Sequence, residues 1–143
     1  MTQTTTAPGV AAASPGPRAT LTVLRVLAVL HTAGAIVQPM LAGVYLGGDV
    51  DALAIHELNA HVVTGLGFFQ LVAAIVFVWR GRGRFWPLWA SLAICLAVQA
   101  QVGMGYEGVV AVHLPLGVSI IAMQILLTVW LFRAAARTAR RLR

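Results

Sequence analysis

The chain reads as an all-α integral membrane protein: an up-down four-helix bundle made of two similar helical hairpins. Three observations predict this class. Four apolar runs each reach the roughly 20 residues that a helix needs to cross a bilayer core. Only 10% of the 143 residues are charged and 59% are hydrophobic, whereas soluble domains carry about 25% charged residues. The links between the runs are short, which forces neighbouring helices antiparallel.

Residues 1–20 are rich in Thr, Ala, Pro and Gly without apolar periodicity, and a disordered tail is expected there. A signal peptide is not expected, because the basic start is missing and the following apolar stretch is too long. Within the bundle at 21–133, the spans are expected at about 21–46, 53–79, 85–104 and 109–132. Arg25 interrupts the first span early and can snorkel to the interface. Gly47-Gly48-Asp49-Val50-Asp51 joins the first pair, with Asp51 expected as the N-cap of the second helix. Arg80-Gly81-Arg82-Gly83-Arg84 and Gly105-Tyr106-Glu107-Gly108 are the other links. Pro39 and Pro115 are expected to kink the first and fourth helices. Residues 134–143 form a basic tail.

Charge sets the orientation. Arg18, Arg25, the Arg80/Arg82/Arg84 loop and Arg133, Arg137, Arg140, Arg141 and Arg143 all fall at one end of the bundle. Asp49, Asp51 and Glu107 mark the other. The positive-inside rule then puts both termini in the cytoplasm, in the inner (cytoplasmic) membrane of a bacterial cell. The net charge of +6 thus reports topology, and no nucleic-acid partner is expected. Trp79, Phe85, Trp86, Trp89 and Trp130 cluster at the basic end as an interfacial belt. Cys95 is the only cysteine, which rules out an intrachain disulfide and a covalent CxxCH haem.

Each helix carries a stripe of small and polar residues at helical spacing, and the stripes are expected to face one another. They comprise His31, Gly34, Ala35, Gln38, Ala42 and Tyr45; His56, Asn59/Ala60, Val63, Gly67 and Gln70; Ser91, Cys95 and Gln99; and His113, Gly117, Ile120, Gln124 and Thr128. Histidine is costly in hydrocarbon and usually faces a bundle interior, a partner or a cofactor. His56 and His113 each lie about one turn inside the acidic end of parallel helices, in the related settings Ala54-Ile55-His56 and Ala111-Val112-His113. His61 is about 7 Å deeper and rotated by roughly 140° from His56. His31 has no histidine opposite it, so at most one bis-histidine site is expected. Imidazole is a strong axial haem ligand. A core lined by Gly and Ala can admit a flat macrocycle between diagonal helices. The pair is therefore expected to hold haem b through its iron.

Gln99-Ala100-Gln101-Val102-Gly103 and Val112-His113-Leu114-Pro115-Leu116-Gly117 resemble one half of a haem A synthase, and Gln38-Pro39-Met40-Leu41-Ala42-Gly43 repeats the Gln-plus-Gly signature on the first helix. The resemblance implies a four-helix half with histidines on its second and fourth helices facing a haem near the outer surface. His56 and His113 are then the axial ligands, with His61, His31, Gln38, Gln101 and Gly117 as further cavity candidates. The chain departs from that family in lacking an arginine after His61 and the cysteine pair of the first outer loop.

Three functions follow as expectations. The first is a haem-b membrane protein in electron transfer or haem handling, with a membrane redox partner or a second copy as its company in the bilayer. The second is a non-haem accessory or structural subunit. The third is a half-size haem-modifying enzyme acting as a dimer. No catalytic constellation accompanies the histidines, so binding is favoured over catalysis.

Overall fold

The structure is a computed structural model that describes residues 18–140. Helices α1 (Arg18–Leu46), α2 (Asp51–Trp79), α3 (Trp86–Tyr106) and α4 (Val110–Phe132) are followed by a 3-10 turn at Ala134–Arg137. All four helices are long and apolar enough to cross a membrane. Helix α1 packs on α2 and α4, and α3 packs on the same two. The pairs α1/α3 and α2/α4 therefore face each other across the diagonals. An even number of spans brings both ends of the described chain to the basic end of the bundle.

The helix ends follow from turn chemistry. Gly48 (φ 107) and Gly108 (φ 68) adopt the left-handed backbone that stops a helix cleanly. The Val109 N–H returns to the Met104 carbonyl at 3.0 Å across the second of these turns. Asp51 is not the N-cap of α2. Val50 holds that position, Asp51 opens the first turn, and the Asp49 carboxylate accepts the Asp51 N–H at 3.1 Å. Asp51 still places a negative charge at the positive end of the helix. Helix α1 begins at Arg18 rather than residue 21, because the last prolines lie before it and nothing in Ala19-Thr20 opposes helix. The rest of the expected N-terminal tail lies outside the described residues.

Packing differs between the two halves. The basic half has a dry core of Leu21, Leu24, Ala28, Ala74, Phe77, Ile94, Leu127 and Leu131. In the acidic half, no residue from 99 to 119 is buried, and from 36 to 62 only Ala52 is.

The basic tail folds back onto the bundle. Ala136 is buried, the Arg140 N–H donates to the Arg82 carbonyl at 2.7 Å, and the Arg140 guanidinium stacks over Phe85 at 4.1 Å. Arg25 points inward rather than merely snorkelling. Its Nε donates to the Leu131 carbonyl at 2.8 Å, and its guanidinium lies 4.9 Å from the Phe132 ring centre. A cation thereby meets the negative end of α4. Trp86 and Trp130 meet edge to face at 4.8 Å.

Gly83 is buried in the α2–α3 link, where an added Cβ would overlap the ring of fully buried Phe77. Gly83→Val should therefore destabilise the protein by about 1–3 kcal/mol, the usual range for overpacking, read as a lower thermal midpoint in detergent. Gly103→Ala, whose Cβ would meet nothing within 4 Å, should be neutral or slightly stabilising.

Candidate functional site

Helices α2 and α4 bring His56 and His113 together across the bundle diagonal, with ring centroids 6.4 Å apart and ring planes at 48°. Both side chains are half-buried. The His56 Nδ1 lies 3.1 Å from the Gln38 carbonyl on α1, and the His113 Nδ1 lies 3.0 Å from the Gln101 carbonyl on α3. A carbonyl can only accept, so each Nδ1 carries the proton. Each Nε2 is left with its lone pair. Tying the remote nitrogen to a carbonyl is the usual way a protein orients a metal-binding histidine and raises its basicity. The two hairpins make the same contact, first helix carbonyl to second helix histidine.

The surroundings are small and polar. Asn59 Nδ2 donates to Gln38 Oε1 at 2.8 Å and to the Gly34 carbonyl at 2.9 Å, locking α2 onto α1 beside His56. Gly105 lies against the His113 ring, where a Cβ would stand 3.2 Å from Cε1. Gly117 makes room for the Gln101 amide, whose Oε1 is buried without a partner. Tyr106 donates to Glu57 at 2.6 Å across the exposed mouth. His61 is exposed on the outer face of α2 and stands apart from the pair.

The donor set constrains what the pair can hold. Among the described residues, no three His, Cys, Asp or Glu side chains gather into a metal site. Two imidazoles are too few for a structural zinc, which takes four protein ligands. They suit a haem iron, for which the macrocycle supplies the remaining nitrogens and the protein the axial ligands. A nitrogen bound about 2.0–2.1 Å from a metal puts two imidazoles on opposite sides of one ion roughly 6 Å apart between centroids. The observed 6.4 Å is of that size. Around the pair, Gly105 is exposed beside His113, and Gly34 and Gly117 are half-buried against Val63 and Gln101.

A second polar cluster lies deeper, where His31 is fully buried. Its Nδ1 is 3.2 Å from Gln70 Oε1. Gln70 and Gln124 exchange amide bonds at 2.8 and 3.1 Å. Gln124, Thr32 and Thr128 all donate to the Ala28 carbonyl, and Gln70 reaches Ser91 at 3.5 Å. All four helices contribute. His31 Nε2 has no partner, and Gly67 presses on the ring, where a Cβ would stand 3.2 Å from Cε1.

Sequence spacing anticipates the inward stripes but not their junctions. Gln99 is exposed, and its stripe position is taken by buried Val98 and half-buried Gln101. Tyr45 is also exposed. The union of His31 with Gln70 and Gln124 was legible in principle, because all three lie on inward stripes at similar depth. No protein family, curated protein or solved structure matches the chain.

Gln124→Leu should leave the Gln70 amide short of a partner and destabilise the bundle by about 1–2 kcal/mol in a detergent unfolding titration. Joint replacement of Gln70 and Gln124 by Leu should cost less than the sum of the single changes.

Proposed function

We propose that the chain is a haem-b-binding membrane protein whose axial ligands are His56 and His113, acting in electron transfer or haem handling near the outer leaflet. The observation that carries this reading is the histidine pair itself. Two imidazoles from diagonal helices stand with ring centroids 6.4 Å apart, each with Nδ1 tied to a carbonyl. The resemblance of both Gln-plus-Gly hairpins to one half of a haem A synthase supports it as well. A bound haem would supply one-electron chemistry. The chain's own residues orient the ligands and fix their tautomer, while Gly105 keeps bulk away from the His113 ring. Placement about one turn inside the acidic end favours a redox partner at the outer surface. His61 takes no part in ligation in this reading.

The segregation of arginine supports cytoplasmic termini and a multi-pass place in a bacterial inner membrane. A second reading, a non-haem accessory subunit, draws on the carbonyl bonds of the two histidines, which also stitch each hairpin together.

The dithionite-reduced minus oxidised spectrum of protein expressed with ample haem separates the two. Sharp α and Soret bands are expected, lost in His56→Ala and in His113→Ala and kept in His61→Ala. A colourless, well-folded protein would favour the accessory subunit. For orientation, an alkaline phosphatase fused within Gly105–Gly108 should be active and one fused after Arg143 inactive. The reverse pattern would invert the topology.

A further inference from the structure

We propose that the basic end of the bundle holds one anionic phospholipid against Trp79, with its phosphate between Arg82 and Arg140. All four acidic side chains, Asp49, Asp51, Glu57 and Glu107, belong to the opposite end. No Asp or Glu can therefore neutralise the arginines of the α2–α3 link and the folded-back tail.

Two grooves meet at Trp79. One, of about 680 Å³, is lined by Ile75, Val76, Trp79, Arg80 and Arg82. The other, of about 350 Å³, is lined by Val78, Trp79, Phe85 and Arg140. Each joins an apolar wall on α2 to a guanidinium at the rim. Ile75 and Val76 are exposed toward hydrocarbon, and Trp79 is 78% exposed at interfacial depth. This order of acyl surface, indole and cation matches a phospholipid from tail to phosphate. A free anion would have no use for the apolar wall.

The cationic rim is held in place. Arg82 carries the only positive φ among the described non-glycine residues, at 55°, and its carbonyl takes the Arg140 N–H. Stacking on Phe85 fixes the plane of the half-buried Arg140 guanidinium, whose Nη1 is buried with no acceptor among the described residues while the side chain lines the smaller groove. A planar guanidinium stacked on an aromatic face keeps its in-plane N–H groups for a phosphate.

Native mass spectrometry of the delipidated protein in detergent tests this with added phosphatidylglycerol and phosphatidylcholine. One phosphatidylglycerol per chain should be retained, and phosphatidylcholine lost. The double variant Arg82→Gln/Arg140→Gln should weaken retention roughly thirtyfold, the effect of removing two interfacial cations. Arg133→Gln/Arg137→Gln removes the same charge from exposed positions outside the grooves and should leave retention unchanged. Equal retention of the two lipids overturns the proposal. So does equal loss in both double variants, which would mean diffuse attraction, or full competition by millimolar inorganic phosphate. If the first double variant loses helical content, Arg140→Gln alone should cost about fivefold, and unchanged retention there overturns the proposal.

Discussion

A polar group inside a bilayer has no water to fall back on, so a partner within the chain is at a premium. The Ala28 carbonyl is where that constraint converges. Helix α1 already uses this carbonyl in its own ladder, yet Thr32, Gln124 and Thr128 also donate to it. Through Gln124 the network reaches Gln70, and through Gln70 it reaches His31 and Ser91. Hydrocarbon offers little hydrophobic drive for one apolar helix to prefer another. The reciprocal amides therefore tie α2 to α4 across the diagonal at one depth. The register they fix also sets the height at which His56 and His113 meet.

The bundle is strong at one end and thin at the other, and the two facts belong together. Phe77, Leu24, Leu127 and Leu131 fill the basic half, where Gly83 and the folded-back tail close the bottom. The acidic half gives up that density. Its contacts include backbone carbonyls to histidine and a glutamine–asparagine bond, with Gly105 where a larger side chain would crowd the His113 ring.

Sequence reasoning reached the helix number, the approximate ends and the depth-matched histidines, because length, charge segregation and link size all act along the chain. It did less well where the outcome depends on rotation about a helix axis. These helices are apolar on every face, so Gln99 and Gln101 are hard to rank by pattern, and only packing sends Gln99 outward. By sequence Asp51 is expected as the N-cap of α2, but the path of the turn puts Val50 there, without a side-chain cap, and Asp51 in the first turn. The docked tail left no periodic signal, since one backbone bond and one stacked arginine hold it. The acceptors of His56 and His113 are backbone carbonyls, which no side-chain pattern can reveal.

The three interior histidines make the same hydrogen-bonding choice, and their surroundings give it different consequences. His31, His56 and His113 each use Nδ1 toward an oxygen acceptor on a neighbouring helix. On the amide and carbonyl geometry given, each keeps a bare Nε2. At His31 that nitrogen is sealed in a dry core with Gly67 against the ring, so no ligand can approach without parting α1 from α2. At His56 and His113 the rings are half-buried in the thin half of the bundle and lie within one ion's reach of each other. Tautomer alone thus does not tell the three histidines apart. Access and pairing do, and only His56 and His113 have both.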